Sequence, residues 1–336
     1  MDDSGKKAVA VLGAGSWGTA LAILLGHNGH QVRLWGHLPE EIANLARERE
    51  NKAFLPGIPL PDGVHPQADL GQVLEGASEI LIAVPSHAFH PLVTSIASSL
   101  EGASGIAWAT KGFEPDTQRL LSEVARELLP HSSLAVISGP TFAGEVARCL
   151  PTAITVAASP GAYGQHVANL LHAPWFRAYT SDDLVGVQVG GATKNVLAIA
   201  AGIADGLGFG ANTRAALITR GLTEITRLGL ALGGSHETFM GLAGLGDLVL
   251  TCTDNQSRNR RMGLALAEGL SIEAAKQRIG QEVEGLHTAR EVYRLALRHR
   301  VEMPISEQVY RVLYEGQSPE SAVRNLLDRS QKPEYL

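Results

Sequence analysis

The segment Gly13-Ala14-Gly15-Ser16-Trp17-Gly18 constrains the fold of this chain more than any other. It fits the pattern G-x-G-x-x-G and directly follows an apolar run at residues 8–12. A helical pattern at residues 16–27 and a second β-rich run at residues 31–35 come next. In this strand–turn–helix–strand order, a glycine-rich turn binds the pyrophosphate of a dinucleotide. A glycine-rich turn with a purely structural role is the alternative.

The order of β-rich and helical runs predicts two domains. The first half alternates short β-rich runs with helical patterns, as parallel sheets do. Its further strand candidates are residues 80–84, 105–109, 134–137 and 153–157. After about Gly186 the pattern is helical, with segments at residues 213–228, 272–279, 288–298 and 306–314. We therefore expect an α/β protein, with a Rossmann-type doubly wound sheet at residues 1–187 and an all-α substrate domain at residues 188–336.

Small and polar residues follow each of the first five predicted strands. The five segments are GAGSWG, GHLPE, PSHAF, TKGF and SGPTFA. Because ligands bind outside the carboxyl ends of parallel strands, these segments are expected to form one site.

The first of these segments predicts how a dinucleotide would bind. Gly13 permits the tight turn, Gly15 lets the backbone approach the pyrophosphate, and Gly18 lets the helix pack on the strand. Ser16 and Trp17 belong to the same turn. No acidic residue stands at the end of the second strand, where Gly36 and His37 occur. A ribose 2′-phosphate would meet no repulsion there, so we expect NADPH, NADH or both, with His37 as a contact. Arg33 either adds a cationic contact or points to solvent on the other face of the strand.

Composition argues against several classes of protein. The net charge is −6 and no long basic run occurs, so nucleic-acid binding is not expected. Two distant cysteines form no disulfide framework, which favours a reducing cytoplasm. Lys6 and Lys7 precede an uncharged stretch at residues 8–28, but glycines interrupt it, and we expect neither a signal peptide nor membrane insertion. His87 and His90 are too little to indicate a metal, and no metal site is expected.

Several motifs together resemble one enzyme family. Besides GAGSWGTA, they are VPSH at 84–87, ATKG at 109–112, SGPTFA at 138–143, GGATKN at 190–195, GLGDL at 244–248, TC at 251–252, SRN at 257–259 and VEG at 283–285. Their order is similar to that of the bacterial NAD(P)-dependent glycerol-3-phosphate dehydrogenases, over nearly the whole chain. The resemblance implies reduction of dihydroxyacetone phosphate to sn-glycerol 3-phosphate by NAD(P)H, for glycerophospholipid synthesis, by a homodimer.

Reduction of a ketone leaves an alkoxide that must receive a proton, and a lysine can supply it. Lys194 follows Gly190 and Gly191, whose missing side chains are expected to let a ligand approach. The resemblance implies that Lys194 is the proton carrier and that Lys111 is a second site lysine, which binds substrate and cofactor. Asp247 lies in an apolar segment and needs a partner. The resemblance pairs it with the catalytic lysine and substrate, whereas a helix cap or structural ion pair is the alternative.

The segment Ser257-Arg258-Asn259 is expected to open a helix and bind the substrate phosphate through backbone N–H groups, a hydroxyl and a guanidinium. With Arg260 and Arg261 it could instead be a solvated helix face. The resemblance further implies substrate contacts at Gly139, Thr141 and Asn195, with Thr251 a weaker candidate. It implies cofactor contacts at Ala143, Arg258 and Glu284. Glu282 stands where relatives carry an aliphatic residue, so no role is transferred to it.

Two other functions remain open at this point. One is a dehydrogenase of another phosphorylated hydroxy compound. The other is a non-catalytic module that senses NAD(P)H. A sensor would not need Lys111, Lys194 and Asp247 together.

Overall fold

The computed structural model describes residues 8–100, 105–159, 161–331 and 333. Lys6 and Lys7 lie outside the described residues. Eight strands form one sheet. They are β1 Val9–Leu12, β2 Val32–Trp35, β3 Val64–Gln67, β4 Glu79–Ile82, β5 Gly105–Trp108, β6 Ser133–Ser138, β7 Thr152–Ser159 and β8 Phe176–Ser181.

The helices of the sheet domain connect these strands. They are α1 Ser16–His27, α2 Pro39–Glu48, α3 Leu70–Leu74, α4 Ser86–Ile96, α5 Leu121–Leu128, α6 Ala143–Ala147 and α7 Gly161–Leu171. A short 3₁₀ turn, Ala97–Ser99, follows α4.

The rest of the described chain is helical. The elements are α8 Leu184–Gly206, α9 Ala211–Ala231, α10 His236–Met240, a π-helical turn at Leu242–Gly246, α11 Asp247–Thr253, α12 Arg258–Ala267, α13 Ile272–Ile279, α14 Glu284–His299, α15 Pro304–Tyr314 and α16 Pro319–Leu327. The predicted α/β class, with a Rossmann-type sheet followed by an all-α region, is confirmed.

The strand order is β3-β2-β1-β4-β5-β6-β7-β8. All neighbouring pairs are parallel except β6 and β7, which are antiparallel. The carboxyl ends of β1, β2, β4, β5 and β6 therefore meet at one edge of the sheet, where the five glycine-rich and polar segments follow them. Apolar clusters cover both faces of the sheet, so it is buried as a doubly wound sheet must be.

Two strands were absent from the sequence prediction, and both lie at the edges of the sheet. In β3 only Val64 is fully buried, and Pro66 interrupts the strand pattern. Pro is tolerated there because an edge strand has one unpaired side. In β8 only Phe176 is buried. A strand that is mostly exposed has no continuous apolar run, which is the pattern that predicts the central strands.

Helix α8 is the centre of the helical region. It is the helix within the described ranges that is long and apolar enough to cross a membrane, but 89% of its apolar window is buried inside the protein. Helices α9, α11, α12 and α14 pack around it. The position 187/188, where the sequence suggested a domain boundary, falls inside this helix, after its fourth residue.

Candidate active site

The glycine-rich turn between β1 and α1 forms a cradle for a phosphate group. Gly13 has φ +121°, and a Cβ there would lie 2.5 Å from the carbonyl oxygen of Ala83. A Cβ on Gly18 would lie 1.8 Å from the Gly13 carbonyl oxygen, so this glycine serves packing. A Cβ on Gly15 would meet nothing within 4 Å, so this backbone borders open space at the N-terminus of α1. Positive partial charge at a helix N-terminus favours an anion there, and the cradle fits a dinucleotide pyrophosphate.

A cavity of about 700 Å³ extends from this turn. The predicted cofactor contacts that line it are Gly13, Gly15, Ser16, Trp17, His37, Arg258 and Glu284. Among the described residues predicted to touch the cofactor, Gly18, Lys111 and Ala143 lie outside this lining. Ala143 begins α6, which packs against α1. The size and the mixed polar lining suit a dinucleotide.

Arg33 does not contribute a cation to this cavity. Its guanidinium donates hydrogen bonds to the carbonyl oxygens of Gln72, Val73 and Glu75 at the end of α3. Arg33 is thus neither a cation in the cofactor site nor a side chain that points to solvent. The strand pattern predicts which face of the sheet a side chain lies on, but it does not predict its hydrogen-bond partner. Lys52, which the sequence analysis missed, does line the cavity and forms an ion pair with Glu48 at 3.0 Å.

Asn51 is a second residue that the sequence analysis missed. Its buried amide donates hydrogen bonds to the Ala14 carbonyl oxygen at 2.9 Å and to Thr19 Oγ1 at 2.8 Å. Asn51 thus ties the loop after α2 to the glycine-rich turn. A single polar residue in an irregular loop carries no motif, so only the folded structure shows this role.

Lys111, Lys194 and Asp247 form one largely buried cluster at the carboxyl end of the sheet. Lys194 Nζ donates to Asp247 Oδ1 and, at 2.8 Å, to Thr251 Oγ1. Lys111 Nζ donates to Asp247 Oδ2 at 2.7 Å. Asp247 is fully buried, and two cations satisfy its carboxylate. Three segments distant in sequence therefore converge on one carboxylate.

Burial lowers the pKa of the Lys194 ammonium to about 8, and the neighbouring Lys111 cation acts in the same direction. The Asp247 carboxylate opposes both effects because it stabilises the charged lysine. A lysine with a pKa near neutrality can both donate and accept a proton at ordinary pH.

Gly190 and Gly191 serve helix packing, which differs from the expectation that they admit a ligand. A Cβ on Gly190 would lie 2.5 Å from the Ala243 carbonyl oxygen in the π-helical turn. A Cβ on Gly191 would lie 2.7 Å from Ser138 Oγ. The two glycines let α8 approach β6 and the π-helical turn closely, and this packing sets the position of Lys194 one turn later.

The segment after β6 also reaches the lysine cluster. The Gly139 carbonyl oxygen accepts hydrogen bonds from Lys111 Nζ at 3.4 Å and from Thr141 Oγ1 at 3.2 Å. Gly139 has φ +151°, and a Cβ there would approach Ile154 Cα to 3.0 Å. The backbone conformation of Gly139 thus directs its carbonyl oxygen toward Lys111 Nζ.

A chain of amides connects α8, α12 and α14. Asn259 donates to Asn195 Oδ1 at 2.9 Å and accepts from the Gly285 N–H at 2.9 Å. Asn195 in turn donates to Glu284 Oε2 at 3.3 Å. Burial raises the pKa of Glu284, while the charges of Arg258, Lys111 and Lys194 lower it. Three cations therefore act electrostatically on this carboxylate.

Helix α12 begins at the predicted phosphate segment. Ser257 is its N-cap and accepts a hydrogen bond from the Arg260 N–H at 3.2 Å. Arg258 is partly exposed and faces the cofactor cavity. Arg260 is buried and pairs with Asp205, so the alternative of a solvated helix face is wrong for this residue.

A dinucleotide-binding sheet joined to a buried lysine–carboxylate cluster defines a nicotinamide-dependent dehydrogenase. Comparison with known proteins gives the family. The family profile described as the NAD-dependent glycerol-3-phosphate dehydrogenase N-terminus matches residues 8–172, and the profile of its C-terminus matches residues 183–324. The chain belongs to the NAD-dependent glycerol-3-phosphate dehydrogenase family and is an NAD(P)-dependent oxidoreductase.

Curated relatives and a solved structure agree with this assignment. The chain is 57% identical to glycerol-3-phosphate dehydrogenase (NAD(P)+) of Shewanella halifaxensis, over 97% of both chains. It is also 57% identical to the enzyme of that name from Pseudoalteromonas translucida, over 97% of this chain and 98% of the relative. The crystal structure of glycerol-3-phosphate dehydrogenase from Coxiella burnetii superposes with a TM-score of 0.94 at 49% identity, covering 96% of this chain and 99% of that one. These findings give no support to a sensing module or to another dehydrogenase.

Proposed function

We propose that this enzyme reduces dihydroxyacetone phosphate to sn-glycerol 3-phosphate and thereby supplies glycerophospholipid synthesis. The observation that carries the proposal is the buried cluster of Lys111, Lys194 and Asp247 beside a cavity that fits a dinucleotide. The cluster offers a proton, and the start of α12 offers a phosphate site. NAD(P)H, when bound, supplies the hydride.

Lys194 is the proton carrier in this proposal. Its Nζ is held by Asp247 and Thr251, so the ammonium group has a fixed direction. A pKa of about 8 keeps most of the group protonated near pH 7, as the reduction requires. The remaining N–H donates its proton to the alkoxide oxygen that forms from the ketone, and Asp247 stabilises the ammonium before transfer.

Lys111 has a different role because of where it lies. It bridges Asp247 and the Gly139 carbonyl oxygen, and its side chain is 15% exposed. We assign it to orienting the substrate carbonyl and lowering the Lys194 pKa. The Gly139 carbonyl oxygen accepts from both Lys111 and Thr141, and Asn195 follows Lys194 on α8. Gly139, Thr141 and Asn195 are therefore proposed substrate contacts.

The substrate phosphate is assigned to Ser257, Arg258 and Asn259. The N-terminus of α12 provides backbone N–H groups and the guanidinium of Arg258 provides charge-assisted hydrogen bonds. Asn259 donates to Asn195, the neighbour of Lys194, at 2.9 Å, which supports a short distance between the phosphate site and the proton carrier.

The turnover test follows NADPH and NADH oxidation at 340 nm with dihydroxyacetone phosphate. Non-phosphorylated dihydroxyacetone is the matched control substrate. We expect turnover that depends on the phosphate group with at least one of the two cofactors. Absence of that turnover with both cofactors would reject the proposal.

We further propose that residues 1–187 form the cofactor-binding domain and residues 188–336 the substrate-binding domain. We also propose that the enzyme is a homodimer in the cytoplasm. The resemblance to the family supports the dimer, and two free cysteines support a reducing compartment. Light scattering of the purified protein tests the dimer directly.

A further inference from the structure

Three potential metal ligands meet at the rim of the cofactor cavity. His87 lies in the first turn of α4, just after β4. Glu282 lies between α13 and α14, and His287 lies in the second turn of α14. One ligand atom from each side chain lies within 4.8 Å of the other two. Neither the proton transfer nor the phosphate site uses these three residues.

The spacing of these atoms suits a small transition-metal ion. His287 Nε2 and Glu282 Oε1 are 3.4 Å apart. Zinc binds nitrogen and oxygen ligands at about 2.0–2.2 Å in a tetrahedron, which puts two ligand atoms roughly 3.3–3.6 Å apart. The rings of His87 and His287 have centroids 6.0 Å apart. The side chains of Glu282 and His287 are 37% and 47% exposed, so small rotations can bring the third ligand to bonding distance.

We propose that His87, Glu282 and His287 form a binding site for Zn²⁺, with water as the fourth ligand. Two imidazoles and one carboxylate are a ligand set that zinc accepts, whereas magnesium and calcium prefer oxygen ligands alone. The three ligands are exposed and leave the fourth position to water, so the site is open and we expect micromolar affinity, weaker than that of a closed structural site.

The position of the site gives it a consequence for turnover. His87 follows Val84 and Pro85, which line the cofactor cavity on the sheet side. Glu282 lines the same cavity on the helical side, next to Gly280. Gly280 has φ +70° and ends α13. A metal ion that joins His87 to Glu282 fixes the two walls to each other. Exchange of the cofactor then slows, and zinc is a reversible inhibitor.

Calorimetric titration with ZnCl₂ tests the site in the full-length protein without a histidine tag, substrate or cofactor. We expect one ion per chain with micromolar affinity. His87→Ala and His287→Ala should each weaken binding by more than the roughly 10- to 100-fold that loss of an outer-shell partner costs. Glu282→Gln should also weaken binding. His37→Ala is the matched control, because His37 lies exposed on the lining of the same cavity and should leave the zinc affinity unchanged.

Two results would overturn the proposal. One is wild-type protein that binds no zinc below millimolar concentrations. The other is unchanged zinc affinity in both histidine variants, after thermal melts show that they are folded. An activity assay adds a second readout, since zinc should inhibit wild type and EDTA should restore it, while His287→Ala should resist inhibition. The titration needs no turnover, so its outcome is independent of whether the proposed reaction is correct.

Discussion

Lys111 and Lys194 contact opposite oxygens of one carboxylate, that of Asp247, although they come from different structural layers. Lys111 follows a strand of the sheet, and Lys194 lies within the central helix of the helical region. Two ammonium groups so close to each other disfavour each other's charged state. The carboxylate holds them together, and burial lowers the pKa of Lys194. This relationship leads to the first two predictions.

Lys194→Ala should lower kcat for dihydroxyacetone phosphate reduction by about 10² to 10⁴, the usual effect of losing a positioned acid. Steady-state kinetics at 340 nm measures the loss, and a thermal melt with an NADPH-binding titration shows whether the variant is folded and binds cofactor. A loss below about tenfold in a folded variant would reject Lys194 as the proton carrier.

The pH profile of reduction should fall as Lys194 loses its proton. Since only the protonated lysine can donate, kcat/KM should decrease as pH rises through about 8. Lys111→Met removes a neighbouring cation, so the pKa of Lys194 should rise and the falling limb should move to higher pH. The maximal rate should also fall, but the pH at which kcat/KM declines does not depend on the size of that maximum. A limb that stays in place or moves to lower pH would contradict the assigned electrostatic role of Lys111.

Arg258→Ala should mainly raise KM for dihydroxyacetone phosphate. Loss of a hydrogen bond to a charged group costs about 1.5–3 kcal/mol, which corresponds to a roughly 10- to 160-fold increase. Non-phosphorylated dihydroxyacetone is the control, because the variant should lose little kcat/KM with a substrate that has no phosphate. An unchanged KM for the phosphorylated substrate would place the phosphate site elsewhere.

Asn51→Ala should raise KM for the nicotinamide cofactor and leave KM for dihydroxyacetone phosphate nearly unchanged. The reason is that Asn51 holds the glycine-rich turn through Ala14 and Thr19. Asn28→Ala is the matched control. Asn28 follows the C-terminus of α1, at the end away from the glycine-rich turn, and its amide also donates to two carbonyl oxygens, those of Leu170 and His172. Both variants should be less stable, but only Asn51→Ala should weaken cofactor binding. Equal cofactor KM values in the two variants would show that the turn keeps its shape without Asn51.

The sequence predicted the central strands because they are buried on both faces and therefore read as continuous apolar runs. It also predicted the glycine-rich turn, where spacing and context are local. Its motifs named Lys111, Lys194 and Asp247, but the shared carboxylate geometry depends on the packing of α8 against β6. That packing requires Gly190 and Gly191, whereas the sequence led us to expect that these glycines let a ligand approach.

Residues outside motifs could not be predicted in the same way. His87 and His287 are separated by most of the chain, so spacing rules for metal ligands do not connect them. The hydrogen bonds of Arg33 to α3 and of Asn51 to the glycine-rich turn are formed by single side chains that reach from one structural element to another. Such contacts depend on loop conformations that hydrophobic periodicity does not encode.

The final prediction concerns stability and a buried acid outside the active site. Glu224 on α9 is 2% exposed and accepts hydrogen bonds from the N–H groups of Ile305 and Ser306 and from the Ser306 hydroxyl. Burial raises its pKa from 4.5 to about 7. The folded state therefore binds a proton more tightly than the unfolded state, and the resulting stability is complete below pH 4.5 and lost as pH rises through about 7.

Glu224→Gln should remove this pH dependence, because the amide keeps an acceptor oxygen and does not ionise. The difference in unfolding free energy between wild type and variant should change by roughly 2 to 3 kcal/mol from pH 5 to pH 8, in favour of the variant at the higher pH. Urea unfolding at several pH values measures this difference. Glu237→Gln, at an exposed position on α10, is the control and should follow wild type. A parallel pH dependence of wild type and Glu224→Gln would show that Glu224 stays ionised, held by its three donors.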